Sequence, residues 1–135
     1  MNSVLLDTHV LIWLLVGNKK IGNKSSNLII KALQAEKLYI SSVSMWEVAM
    51  LVERGRIKLL QPIHHWYRDI LSFGIKEIPL FGDIAIESVL LEGFHSDPAD
   101  RMIVATAIGK GFTLLTADSK ILEWAGALER LNVEE

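Results

Sequence analysis

The chain has 135 residues, half of them hydrophobic, with a mean hydropathy of +0.31, no cysteine and a formal net charge of −2. The length fits one domain spanning residues 1–135 with a real hydrophobic core and leaves little room for a second. The lack of cysteine excludes disulfides and thiolate metal sites, and the near-neutral charge supplies no global basic field of the kind that draws nucleic acid. So apolar a small chain also implies surface to cover beyond its own core, such as a dimer or partner face.

The opening MNSVLLDTHVLIWLLVG has the apolarity of a signal segment but lacks a basic start. Asp7 and His9 interrupt its apolar run, which is also too short to span a bilayer, so a cytoplasmic protein with no membrane contact is expected. Val4-Leu5-Leu6 reads as a short buried strand ended by Asp7, and helical spacing follows as far as Gly17-Asn18. NKKIGNKSSN (18–27) reads as a polar loop before a helix to about Glu36. Leu38-Tyr39-Ile40 is a second strand, and Ser41, Ser42 and Ser44 can cap a helix over about Val43 to Arg54 that Gly55 stops. Pro62 begins an amphipathic helix carrying His64, His65, Trp66 and Tyr67; residues 75–80 form a third strand and 83–92 a further helix. A helix opens near Asp97 and ends at Gly109 or Gly111; Phe112 to Leu115 is a fourth strand, followed by Asp118, a short helix to about Trp124 and a final short strand near Leu131. Strands alternating with helices predict an α/β fold with a mainly parallel central sheet of four to five strands flanked by helices. Ligands of such sheets collect at the carboxyl ends of the strands, directly beyond which Asp7 and Asp118 fall.

Four acids are poorly explained by packing. In Asp97-Pro98-Ala99-Asp100 the first residue fits an N-cap and the proline suits the first helical position. Asp100, however, shares a stripe with Ile103, Val104, Ala107 and Ile108, which would aim a carboxylate at the core. Glu47 repeats the pattern, because from Val43 to Val52 the only other polar residue is Ser44. An ionised carboxylate there needs a cation, strong donors or a raised pKa, and a buried pair with one Arg or Lys would also serve. If Asp7, Glu47, Asp100 and Asp118 converge, two of them about 5 Å apart repel by about 3 kcal/mol at an effective dielectric near 20. Four would have to protonate in part or share a divalent cation, and an all-oxygen site suits Mg²⁺ or Mn²⁺. Such a centre serves phosphate-ester chemistry by polarising the phosphoryl oxygen, activating water and stabilising the departing oxygen.

The segments LLDTHVLIWLL (5–15), SSVSMWEVAM (41–50), HSDPADRMIVATA (95–107) and LLTADSKI (114–121) together resemble the PIN-domain ribonucleases, of the kind found as VapC toxins in bacterial toxin–antitoxin pairs. The resemblance covers essentially the whole chain, with the blocks in family order. It implies a PIN-like fold and a metal-dependent endoribonuclease that hydrolyses RNA phosphodiester bonds, with Asp7, Glu47, Asp100 and Asp118 as the acidic quartet that holds Mg²⁺ or Mn²⁺. It further implies hydrogen-bonding support from Ser44 and Thr116, a homodimer with paired active sites along a shared groove, and a VapB-like antitoxin partner that lays an apolar segment on the toxin.

Other residues keep open readings. His9 and His95 flank acidic positions and are ligands, proton shuttles or, more ordinarily, residues that orient a neighbour or pack. His64 and His65 are no metal motif by adjacency alone, since neighbouring helical positions point about 100° apart. Lys19, Lys20 and Lys24 form a loop that meets RNA phosphates or is simply solvated, and Arg101 bonds phosphate or tethers Asp97 across the helix start. For Trp13 and Trp46, core or interface packing is expected before base stacking. A receiver-type signalling domain would want a pair of acids near the first strand and a late lysine, and an aspartyl-phosphate phosphatase would want a second acid where His9 stands. The remaining alternative is a catalytically silent PIN-type module that binds RNA or protein.

Overall fold

The computed structural model describes residues 1–135. Its elements are β1 (Val4–Leu6), α1 (Thr8–Val16), α2 (Asn23–Gln34), β2 (Leu38–Ser41), α3 (Ser42–Glu53), α4 (Ile63–Ser72), β3 (Lys76–Ile78), α5 (Gly82–Leu90), α6 (Pro98–Lys110), β4 (Thr113–Thr116), α7 (Ser119–Leu122) and β5 (Arg130–Asn132). The five strands form one sheet in the order β3-β2-β1-β4-β5, and every pairing is parallel. The expected α/β architecture is therefore present, with five strands, the upper of the four to five expected. No helix is long and apolar enough to cross a membrane.

Covered on both faces, the inner strands β1, β2 and β4 carry apolar runs rather than alternating ones, whereas the edge strands β3 and β5 are more polar. Val4 and Leu6 join Val10, Ile29, Leu38, Ile40 and Ile70 in the core beneath α1, α2 and α4. Leu5 points the other way and packs with Val43, Ile103, Val104, Ala107 and Leu114 beneath α6. Helix α5 rides mainly on α6 rather than on the sheet. Because β2 and β4 flank β1 on opposite sides, the chain changes direction across the sheet between β1 and β4. That switch point opens a crevice at the carboxyl edge, where Asp7 N–H already bonds the Leu115 carbonyl at 3.0 Å.

Three local expectations are corrected. The loop read over 18–27 ends five residues early, because α2 begins at Asn23. Its first N–H groups find partners that local sequence does not announce: Gly22 N–H bonds the Val133 carbonyl, Lys24 N–H bonds Glu135, and the buried Ser25 hydroxyl reaches the Asn132 carbonyl. Only glycine fits at position 22, where a Cβ would meet the Glu135 backbone at 2.2 Å. Strand β3 stops at Ile78 because Pro79 has no N–H to give a ladder. Finally, Ile108 does not continue the buried stripe of α6; it is exposed while Ile103, Val104 and Ala107 are covered.

Candidate active site

Asp7 follows the last residue of the central strand and caps α1, its Oδ1 accepting from Thr8 N–H at 2.9 Å. Its other oxygen accepts from Thr116 Oγ1 at 2.7 Å, and the same Thr116 oxygen accepts from Asp118 N–H at 3.0 Å. One hydroxyl at the end of β4 thus sets the distance between two acids that lie 111 positions apart in the chain. Asp118 spends Oδ1 on the N–H of Lys120 as the N-cap of α7. His9 spans the same gap: Nε2 accepts from Ala117 N–H at 3.0 Å, and Nδ1 lies 3.6 Å from Asp7 Oδ2. Held by the Ala117 N–H, the His9 ring stands beside Asp7.

Glu47 comes from α3, whose N-cap Ser41 closes β2 at the same edge. Its Oε1 accepts from the Thr8 hydroxyl, and the Thr8 and Ser44 hydroxyls are bonded to each other at 2.9 Å. Ser44 therefore reaches Glu47 through Thr8, a residue absent from the sequence candidates. Its one visible signal is its place directly after a strand-ending aspartate. Asp100 comes from the first turn of α6, beside His95 Nε2 at 3.2 Å. Asp97 caps that helix, its Oδ1 accepting from Ala99 and Asp100 N–H at 3.0 and 3.2 Å.

Arg101 corrects an expectation. It neither bonds Asp97 nor is free to meet phosphate. Its five N–H groups go to the backbone carbonyls of Ser88, Val89, Leu91, Phe94 and His95. Those carbonyls lie at the C-terminal end of α5 and in the following loop, where helix termini leave acceptors unpaired. The lysine loop is also displaced from the acids: α1 runs back across the sheet for nine residues, roughly 13 Å, before Lys19 and Lys20. Lys20 sits over the Trp13 ring instead, and Lys24 pairs with Glu135. His64 and His65 are exposed on α4, and Trp46, with more than half its surface exposed, is not a core residue.

The crowding shows in proton affinity. Burial raises Asp7, 3% exposed, above the usual carboxylate range against the lowering effects of His9 and Thr116. Burial also raises Glu47, assisted by Asp7 and Asp97 and opposed by the Thr8 hydrogen bond. Asp100 is pushed up to about 8, by burial first and then by Asp7, Asp97, Asp118 and Glu47. No Lys or Arg lies within 4.0 Å of these carboxylates; their only ionic partners are His9 and His95. The buried Arg or Lys pair considered for Glu47 is thus absent. Clustered carboxylates lacking a protein cation, with ligand atoms of His95, Asp100 and Asp118 all within 4.8 Å of one another, fit a divalent ion.

The same architecture occurs in known proteins. The family model described as PIN domain matches residues 4–127. Ribonuclease VapC22 of Mycobacterium tuberculosis is 33% identical over 122 residues, covering 90% of this chain and 91% of that protein. A toxin–antitoxin complex from Klebsiella pneumoniae contains a chain with a TM-score of 0.62 and 26% identity, over 97% of this chain and 98% of its own. FitAcB from Neisseria gonorrhoeae has the same fold at a TM-score of 0.62 and 21% identity, covering 96% and 97% of the two chains. The family model spans residues 4–127 and the ribonuclease relative is 33% identical over nine-tenths of the chain, so the chain belongs to the PIN-domain family.

Proposed function

We propose that the protein is a metal-dependent endoribonuclease that hydrolyses RNA phosphodiester bonds, and that it acts as the toxin of a type II toxin–antitoxin pair. The observation that carries this reading is the gathering of Asp7, Glu47 and Asp100, with Asp118 beside them, at one sheet edge with no lysine or arginine to neutralise them. Left alone, such an edge repels a phosphodiester. Mg²⁺ or Mn²⁺ held by these four residues would neutralise the carboxylates and polarise the scissile phosphoryl group. The chain's own contribution is orientation. Thr116 and His9 set Asp7, Thr8 and Ser44 set Glu47, and Asp97 anchors the helix that delivers Asp100. The 33% identity to a protein named as a VapC ribonuclease supports the substrate and the reaction. The likeness to a chain of a toxin–antitoxin complex supports an antitoxin partner of the VapB kind, and the apolar surface left on the monomer supports a homodimer.

The test is incubation of antitoxin-free protein with structured RNA in Mg²⁺, Mn²⁺ or EDTA, beside Asp7→Asn. Internal cleavage is expected with either ion, is abolished by EDTA, and falls by about 100-fold or more in the variant, on the scale of losing a group that acts in the transition state. Cleavage that survives Asp7→Asn, or a folded, metal-loaded protein that cuts no RNA class, would overturn the reading.

A further inference from the structure

We propose that the concavity beside the acids seats one unpaired RNA base against Trp124, next to the phosphodiester held at the acid site. The concavity measures about 780 Å³, within the roughly 300–1,000 Å³ of sites that take small molecules. It joins the acids directly. His95 lines it, and the same ring has a ligand atom within 4.8 Å of carboxylate oxygens of Asp100 and Asp118. Lys120 lines it too, and its backbone N–H donates to Asp118 Oδ1 at 2.9 Å. A strand whose phosphate reaches the acids therefore lays a neighbouring nucleoside here.

Trp124 is the wall against which a base stacks, and the chain holds it in place beforehand. The half-buried indole donates Nε1–H to the Glu92 carbonyl at 2.9 Å, which ties the loop after α7 to the loop after α5. Phe94 stands nearly perpendicular to it, at 84° with ring centroids 5.3 Å apart. Gly126 lies against its benzo ring: a Cβ there would come within 2.2 Å of Cζ2 and Cη2, so only glycine leaves the indole this position. Arg130 braces the same loop from β5, donating to the carbonyls of Ile121 at 2.8 Å and Gly126 at 3.3 Å. Arg101 holds the other loop by the carbonyls of Leu91, Phe94 and His95. An aromatic side chain fixed this way before substrate arrives loses little further freedom on stacking. The charges select what the concavity takes. Glu92 and Glu123 line it as well, and their carboxylates oppose a phosphate but accept from the amino and imino N–H groups along the edge of a base. Lys120, the one lysine or arginine on its wall, stands where the concavity meets the acids and suits the linking phosphate. The RNA must be single-stranded at this point, because a base within a duplex has both faces covered by its neighbours.

The proposal rests on the nuclease reading for the presence of RNA at the acids, so binding is measured apart from cleavage. Full-length Asp7→Asn protein in Mg²⁺ is titrated, at one fixed salt concentration, into a fluorescently labelled single-stranded decaribonucleotide containing all four bases and into a decamer of abasic ribose phosphates. Anisotropy reads the affinity. Added to that background, Trp124→Leu is expected to bind the base-bearing strand about 10-fold more weakly, the scale of one lost base–aromatic stack, and the abasic strand no differently. Trp124→Phe lacks the Nε1–H that ties the two loops but keeps a ring, and is expected to recover most of the loss. Gly126→Ala leaves residue 124 intact while displacing its indole, and is expected to weaken binding of the base-bearing strand as Trp124→Leu does. Affinity unchanged in Trp124→Leu and Gly126→Ala, a loss equal on both strands, or Leu and Phe variants that fall together would overturn the proposal. Base-dependent binding through Trp124 by a protein whose parent cuts no RNA would strike the nuclease reading and uphold the subsite. Cleavage by a parent whose binding ignores Trp124 would strike the subsite alone.

Discussion

Asp100 is held at odds with its own charge. Burial and four neighbouring carboxylates move it from an ordinary 3.8 to about 8, so between those values the folded protein binds its proton more tightly than the unfolded chain does. The sign follows directly: this group stabilises the metal-free fold at acid pH, and its contribution is lost as pH rises through that window. Asp7 and Glu47 are shifted in the same direction, so the slope is shared. Thermal unfolding of Asp100→Asn beside the parent, with and without Mg²⁺, measures it. Without metal the variant is expected to melt higher at pH 8, by about 3–6 °C, with the difference shrinking toward pH 4. Mg²⁺ is expected to raise the parent's melting temperature more at pH 8 than at pH 5, because cation and proton compete for the same oxygens, and to raise the variant's much less. A parent as stable as the variant at pH 8 without metal would contradict the crowding described here. At this scale the acids were legible in the sequence because a carboxylate on an apolar helix, or just past an apolar strand, breaks the pattern around it. Thr8 and the role of Arg101 were not. A threonine opening a helix looks ordinary, and the partners of Arg101 are backbone carbonyls, which no side-chain pattern announces.

Helix α6 shows how an element delivers a site residue. Asp97 and Pro98 start it as their types predict, and Gly111, in the left-handed conformation at φ 68°, ends it. Asp97 adds to the charge felt by both Asp100 and Glu47, so its carboxylate has two effects of opposite sign. Two substitutions separate them. Asp97→Ala loses the cap and is expected to cost about 1 kcal/mol in denaturant unfolding. Asp97→Asn keeps an acceptor for the Ala99 and Asp100 N–H groups while removing a charge, so the metal-free protein is expected to be at least as stable as the parent. Because the cap oxygen is committed to the helix, Mn²⁺ affinity is expected to change little in Asp97→Asn; a large loss would make Asp97 a ligand. Element type and order were readable throughout from periodicity, caps and glycine stops. Boundaries slipped where tertiary partners intervened, most clearly at α2, whose early start depends on residues 132–135 meeting its first turn.

On the scale of the whole molecule, the parallel sheet explains why acids separated by up to 111 positions meet, and part of the high apolar fraction lies on the surface rather than in the core. Ile86, Val89 and Leu90 lie on one exposed face of α5. Val89 lines a concavity with Pro98 and Met102, and the same two residues line the adjoining one with Trp46 and Leu80, so an apolar strip runs from α5 across the start of α6 to α3. The strip takes in Trp46 and Ala99, which precede Glu47 and Asp100 in the chain. A second apolar patch, with Val16, Leu60 and Phe73, flanks α4 and touches none of the acids. A two-fold interface on the first strip would bring two acid sites to a common groove, whereas one on the second would keep them apart. The homodimer proposed above would accordingly use the α3–α5–α6 strip. Light scattering after size exclusion tests it with paired substitutions of exposed residues. Val89→Glu is expected to give a monomer with an unchanged melting temperature, since its side chain contributes little to the monomer's core, while Leu60→Glu leaves the dimer intact. The opposite pattern, a dimer that survives Val89→Glu and falls apart with Leu60→Glu, would move the interface to the α4 side and separate the two sites.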